Sequence, residues 1–265
     1  MTVSLTWVDA FTEARFAGNP AAVCLPETPL PAEYMQALAA ELGISETAFV
    51  TGTDEVETFD LRWFSPLVEI DLCGHATLAS AHVLRTRGLV DGTKPVTFRT
   101  RSGPLIASFD GDLIELDFPA DPFVEGPLPD ALKNEWEERE IVGAGSTGFF
   151  AVVTLASEAA VRTYTPNMVA IAATGSRALL VTAAAEAGSD ADYVLRVFGP
   201  NVGIDEDPAT GSAQCAVGPA WSAALGKSTL VARQVSRRGA VLRVRPEGDR
   251  VHIGGKAVTV FSGEL

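Results

Sequence analysis

The sequence predicts an α+β protein built from two pseudo-symmetric halves, and three observations carry that prediction. The first is a self-match. Leu61-Arg62-Trp63-Phe64-Ser65-Pro66-Leu67-Val68-Glu69-Ile70-Asp71 lies without gaps over Leu195-Arg196-Val197-Phe198-Gly199-Pro200-Asn201-Val202-Gly203-Ile204-Asp205, 134 positions later, and seven of the eleven pairs are identical. A period this long does not suit a solenoid and fits a duplicated domain. The second is that short β-type runs and one apolar helical stretch recur on either side in similar order. The third is Pro119-Ala120-Asp121-Pro122, with Gly126-Pro127 and Pro129 beyond, which punctuates the chain near its midpoint, where a duplication needs a linker. The expected halves are 1–121 and 122–256, with a last strand in 257–265 able to pair with either.

Composition narrows the function classes. A length of 265 residues accommodates two halves of ordinary domain size. Hydrophobic content of 47% and charged content of 20% describe a compact chain, not a disordered one. A net charge of −14 argues against nucleic acid as a partner, because phosphate binding needs clustered Lys and Arg. It leaves room for a local positive pocket and a small anionic substrate. The longest apolar runs fall short of the ~20 residues that cross a bilayer. No basic segment followed by an apolar core opens the chain, so neither a membrane partner nor an export signal is expected. Cys24, Cys73 and Cys215 are too widely spaced for a disulfide framework or a CxxC metal site, and an odd count suits a reducing cytoplasm. His75, His82 and His252 show no metal-ligand spacing, and His82 and His252 read as ordinary half-exposed residues.

Along the first half, Ser4–Ala10 alternates as a strand, and Gly18-Asn19-Pro20 is a turn leading into a second strand through Leu25. Pro31–Leu42 has helical periodicity, with Tyr34, Leu38 and Leu42 on one stripe and Gly43 as the stop. Ile44–Val50 starts another strand, in which Glu46 sits among apolar neighbours; a Glu at a strand entry more often faces solvent. Phe59–Phe64 is a strand and Ser65–Asp71 a loop. A helix opens near Gly74 and stops at Gly88. Val96–Arg99, Leu105–Phe109 and Leu113–Phe118 are strands, the last two joined by an Asp110-Gly111-Asp112 hairpin.

In the second half, Ala131–Glu140 reads as a short acidic helix and Gly143–Gly148 as a glycine-rich turn that lacks the residues of a phosphate loop. Phe149–Leu155 and Ala178–Ala183 are strands, and Met168–Ala173 is a helix. Residues 193–212 repeat the earlier strand and loop. A helix then runs from about Gly211 to Gly226, with Pro219 predicting a kink or a shortened helix. Two strands around Glu247-Gly248-Asp249 mirror the hairpin of the first half.

The repeat points to a site. Backbone N–H groups at the starts of the helices near Gly74 and Gly211 lack helical partners and suit a carboxylate. A pseudo-twofold duplication would bring those loops to one cleft, lined by His75, Asp207 and Ser212. In the ungapped match the copies diverge where Cys73 lies opposite Asp207.

Gly18-Asn19-Pro20-Ala21-Ala22-Val23, Ser45-Glu46-Thr47-Ala48-Phe49, Cys73-Gly74-His75-Ala76-Thr77 and Asp207-Pro208-Ala209-Thr210-Gly211-Ser212-Ala213 together resemble the phenazine-biosynthesis PhzF-like family, over essentially the whole chain. The resemblance implies the diaminopimelate epimerase-like fold, each domain a curved sheet wrapped around a central helix with the active site between domains. It implies an isomerase that moves a proton within a small carboxylate-bearing substrate without metal or organic cofactor, and a homodimer. Carried over motif by motif, Glu46 is the acid/base, and His75, Asp207 and Ser212 assist. Asn19, Gly74 and Gly211 would bind substrate. An apolar pocket would raise the pKa of Glu46 and so strengthen it as a base. Gln214, where many relatives carry His, and Gly199, where many carry Ala, bear on substrate preference.

Two rival readings stand beside this one. An amino-acid racemase of the same fold would use Cys73 against a second thiol, but the chain has no cysteine beyond Asp207 until Cys215, inside the helix. A non-catalytic small-molecule-binding protein is the other, since fold does not imply activity.

Overall fold

The computed structural model describes residues 3–137 and 140–265. It divides into two compact units, Met1–Asp117 with Gly254–Leu265, and Phe118–Ile253. Unit 1 runs β1 (Val3–Ala10), β2 (Asn19–Pro26), α1 (Ala32–Leu42), β3 (Glu46–Gly52), β4 (Thr58–Phe64), β5 (Glu69–Ile70), α2 (Gly74–Thr86), β6 (Val96–Thr100), β7 (Gly103–Asp110) and β8 (Leu113–Pro119). The C-terminal strand Ala257–Glu264 belongs to this unit and pairs antiparallel with β1. From that strand the sheet continues through β1, β2, β3, β4, β6, β7 and β8, with β5 folded back on β4. Only β2/β3 and β4/β6 are parallel. A parallel step needs a crossover, and α1 and α2 occupy those two connections.

Unit 2 runs β9 (Val124–Glu125), β10 (Ile141–Ser146), β11 (Phe150–Leu155), α3 (Glu158–Thr163), α4 (Met168–Ala173), β12 (Ala178–Ala184), β13 (Tyr193–Gly199), β14 (Ile204–Asp207), α5 (Gly211–Leu225), β15 (Leu230–Gln234), β16 (Ala240–Glu247) and β17 (Arg250–Gly255). Its strands pair in the order β9, β10, β11, β12, β13, β15, β16, again with two parallel steps, β11/β12 and β13/β15. The succession of antiparallel and parallel pairings matches that of unit 1 strand for strand, so the duplication extends far beyond the eleven matched residues.

Those matched residues have a structural reason. Leu61 and Leu195 are buried, as are Phe64 and Phe198. Arg62 stacks over Phe64 at 5.2 Å, and Arg196 over Phe198 at 4.8 Å. Each arginine then grips a carboxylate with two nitrogens, Arg62 that of Glu69 and Arg196 that of Glu206. A planar guanidinium can stack and fork at once, which lysine cannot. The pair ties the returning hairpin strand to β4 in one unit and to β13 in the other.

In α2, His75 through Leu84 are all buried. Half of this stretch is Ala, Ser or Thr, small enough for a helix to be enclosed on every face. Thr77 and Ser80 satisfy their hydroxyls by donating to Cys73 O (2.6 Å) and Ala76 O (2.7 Å). In α5, Pro219 shortens nothing: the helix is continuous for 15 residues. The proline removes the N–H that would bond Cys215 O, and that carbonyl instead accepts Asp121 N–H at 3.1 Å. The missing donor thus becomes a docking point for the segment before β9.

The structure departs from sequence expectation in several places. On α1, Leu38 and Leu42 of the expected stripe pack against the core beside buried Met35 and Ala39, while Tyr34 is exposed. The supposed turn at 143–148 is largely strand β10. A Cβ on Gly145 would stand 2.4 Å from Val124 O, so this glycine admits the neighbouring strand β9. Within 131–140, a 3₁₀ turn spans Asp130–Leu132, and 138 and 139 lie outside the described residues. Helix α3 and strand β15 were not anticipated; Ser157 Oγ caps α3 by accepting Ala160 N–H. His82 is buried, with its Nε2 3.0 Å from Thr259 Oγ1. No helix among the described residues is long and apolar enough to cross a membrane.

Candidate active site

Glu46 is the first residue of β3, in register with Ala21 of the parallel strand β2. It is buried, contrary to the solvent-facing habit of strand-entry glutamates. The turn before β2 is held by Gly18 at φ +62°, where a Cβ would stand 2.1 Å from Ala10 O. It delivers Asn19 fully buried, with Ser45 Oγ 3.5 Å from Asn19 Oδ1.

Cys73 is the N-cap of α2, in extended conformation. His75, in the first turn, places Nε2 3.1 Å from Glu46 Oε2, while Cys73 Sγ lies 3.6 Å from Nδ1 and 3.9 Å from Nε2. All three residues are at least nine-tenths buried. Burial pushes the Glu46 carboxyl up, but the charge and contact of His75, joined by Ser45 and Cys73, together outweigh it and hold the group below the usual carboxylate range. Burial likewise disfavours the imidazolium, yet the adjoining Cys73 sulfur and the Glu46 carboxylate hold His75 well above its ordinary value. Burial raises the Cys73 thiol while Glu46 is lowered, so Glu46 is the more acidic of the two groups beside the imidazole. The expected upward shift of Glu46 is therefore reversed: burial acts as expected, but the neighbouring polar groups, His75 first among them, together outweigh it.

In unit 2, Asp207 ends β14, Gly211 opens α5, and Ser212 is exposed on its first turn. Thr210 is the N-cap, extended like Cys73 and without a side-chain cap bond. Counting from the caps pairs Gly74-His75-Ala76-Thr77 with Gly211-Ser212-Ala213-Gln214. The pairing is functional in bonding too, because Thr77 Oγ1 donates to Cys73 O and Gln214 Nε2 to Thr210 O. The structural counterpart of Cys73 is thus Thr210, not Asp207. The loop before α5 carries three extra residues, which an ungapped match cannot show. Cys215 lies inside α5, buried, with its thiol pushed up to about 12 by that burial.

Sequence reasoning missed what holds Asp207. Gln234, fully buried at the end of β15, accepts Thr210 N–H (2.8 Å) and donates to Asp207 O (2.6 Å) and Thr210 Oγ1 (3.1 Å). Thr210 Oγ1, its lone pair so occupied, turns its proton to Asp207 Oδ2 at 2.6 Å. Behind it Tyr193 OH donates to Gln214 Oε1 at 2.6 Å. Gln214 is fully buried within this support. The spacing of Gln214 and Gln234 in the chain carries no signal of this, because a parallel strand pairing brings β15 beside β13.

A family model described as phenazine biosynthesis-like protein, PhzC-PhzF, matches residues 8–263. A protein of Halalkalibacterium halodurans described as an uncharacterized isomerase is 41% identical over 266 residues, covering 100% of this chain and 99% of that one. The crystal structure of a PhzF family protein from Enterococcus faecalis superposes with a TM-score of 0.93 at 37% identity, over 100% of this chain and 99% of that chain. A hydroxyproline epimerase from Agrobacterium vitis shares the fold, with a TM-score of 0.66 at 11% identity over 100% of this chain and 92% of that one.

Proposed function

The chain belongs to the phenazine biosynthesis-like PhzC-PhzF family and is an isomerase, and we propose that it moves a proton between carbons of a small carboxylate-bearing substrate, with Glu46 as the base that takes the proton and returns it. The observation that carries this reading is the buried Glu46–His75 contact at 3.1 Å beside the N-terminus of α2. A carboxylate held ionised in a dry site is ready to accept a proton, and the imidazolium beside it can donate to, or steady, the charge that develops on the substrate. Protonating Glu46 removes half of the ion pair, which favours return of the proton to the substrate at a second carbon.

The backbone N–H groups at Gly74 suit the substrate's carboxylate, with Asn19 close in the chain of contacts through Ser45. Asp207, Ser212 and Gly211 are assigned to the same reaction by the family resemblance, and the rigid support of Asp207 by Thr210 and Gln234 fits a group that must keep one orientation. The chemistry so described asks only for protein side chains, which is the sense in which the enzyme works without a cofactor. Thr210 at the counterpart of Cys73 speaks against a symmetric pair of thiols, the requirement of the racemase reading. The assembly and cellular place expected from the sequence, a cytoplasmic homodimer, form part of this proposal.

The test is incorporation of solvent deuterium into a panel of small unsaturated and α-amino carboxylic acids. Glu46→Gln should slow exchange about 10²–10⁴-fold, the usual worth of a general base, while Cys73→Ser should leave it within a few-fold. The opposite pattern would hand the reaction to Cys73. No exchange from any compound would favour a binding protein.

A further inference from the structure

We propose that Glu46, Cys73 and His75 form a binding site for one thiophilic divalent cation, Zn2+ foremost, and that its occupancy shuts off proton transfer. Among the described residues this is the one cluster in which three potential metal-ligating side chains offer donor atoms within 4.8 Å of one another, and all three are buried. The donors are a sulfur, an imidazole nitrogen and a carboxylate oxygen, the set that zinc prefers over calcium or magnesium.

The spacing is close to what the ion would impose. Zinc bonds of about 2.0–2.3 Å at tetrahedral angles set neighbouring donors about 3.3–3.6 Å apart. Here Glu46 Oε2 lies 3.1 Å from His75 Nε2, and Cys73 Sγ lies 3.9 Å from the same nitrogen. Sγ lies almost equally far from Nδ1 (3.6 Å) and Nε2 (3.9 Å), so the imidazole must turn about its Cβ–Cγ bond for one nitrogen's lone pair to face an ion shared with the sulfur. Cys73 and His75 share the first turn of α2, and Glu46 begins β3, an element α2 packs against, so the donors come from anchored backbone.

A second observation points to a ligand independently of the donor types. Glu46 Oε2 is buried and receives no hydrogen bond of full geometry, its ion-pair contact with His75 Nε2 at 3.1 Å aside. A buried acceptor left unmade is costly, and a cation placed between the three groups would satisfy it. Three protein ligands leave the fourth position for water or the carboxylate of a substrate.

The consequence for activity rests on the proton-transfer reading above, since an ion bound to Oε2 and Nε2 occupies the lone pairs that would move the proton. The binding itself does not rest on it. Protein freed of metal with a chelator should bind one equivalent of Zn2+ by calorimetry. With Co2+ in its place, a thiolate-to-cobalt charge-transfer band should appear. Cys73→Ser should abolish the band, and Cys73→Ser and Glu46→Gln should each weaken zinc binding more than about tenfold, at least the loss typical of disturbing a metal's supporting partners. Cys215→Ser should change neither. Stoichiometric Zn2+ should stop deuterium exchange, and excess chelator should restore it.

Absence of a one-equivalent zinc site, or a site indifferent to Cys73→Ser, would overturn the proposal. So would exchange that persists in the zinc-loaded protein. If the zinc site and cobalt band appear but the metal-free protein exchanges no compound, the metal site stands and the proton-transfer reading falls.

Discussion

Replacing Gln234 with Leu tests whether the second unit's loop is held by a buried amide. The side chain is fully buried and makes three hydrogen bonds to the 207–210 segment, at 2.6, 2.8 and 3.1 Å. Leucine keeps nearly the same volume, so a cavity contributes little. Each lost bond removes about 0.5–1.5 kcal/mol net, and a buried Thr210 N–H stripped of this acceptor costs about 1–3 kcal/mol. Gln234→Leu should therefore destabilise the protein by about 2–4 kcal/mol, a large share of the 5–15 kcal/mol typical of a domain. Gln234→Glu keeps the acceptor for Thr210 N–H but sets an oxygen against Asp207 O and Thr210 Oγ1, so it should lose at least as much. Urea unfolding reads the stability, and deuterium exchange at saturating substrate reads the orientation of Asp207, which should fall in kcat more than in KM. A stability loss below about 1 kcal/mol in both variants would refute the hydrogen-bond argument. Lowered stability with unchanged exchange would remove Asp207 from the reaction.

Three further outcomes follow from single contacts. Gly18→Ala combines a φ of +62° with a Cβ 2.1 Å from Ala10 O, so it should cost more than about 2 kcal/mol in denaturant unfolding and disturb Asn19, which follows it. Tyr193→Phe removes the donor to Gln214 Oε1 at 2.6 Å and should cost about 1–2 kcal/mol, seen as a lower melting temperature. His82 is held at about 4 in the folded protein, mainly by burial, against 6.5 ordinarily. Its folded value is depressed, so the unfolded chain binds a proton that the folded chain refuses between those values. Stability should fall as pH drops from about 6.5 toward 4, by about 1–3 kcal/mol, and be flat above pH 7. Comparing the pH dependence of unfolding with that of His82→Gln isolates this contribution; identical slopes would refute it.

The strand and helix order was legible because each element carries a local signal. Alternation marks β1 and β8, Gly43 and Gly226 end α1 and α5 in left-handed conformation, and Gly111 turns the β7–β8 hairpin. The duplication was legible because Leu-Arg-x-Phe does the same work twice, one residue packing, one stacking and gripping a carboxylate. Misreadings arose where the deciding partner is distant. Gly145 looks like a turn residue until β9 is seen against it, and Pro219 looks like a break until Asp121 takes the carbonyl it frees.

By itself the sequence determined the α+β class, the twofold repetition, and the identity of Glu46, His75, Asp207 and Ser212 as candidates, because periodicity, turn chemistry and motifs are properties of neighbours in the chain. Only the tertiary structure decided the state of Glu46. Its pKa is lowered chiefly by an imidazole 29 residues away in the chain but 3.1 Å away in space, and electrostatic interaction follows distance in space. The same holds for the match of Cys73 with Thr210. A three-residue difference in loop length is invisible to an ungapped comparison and plain once both residues are seen capping equivalent helices.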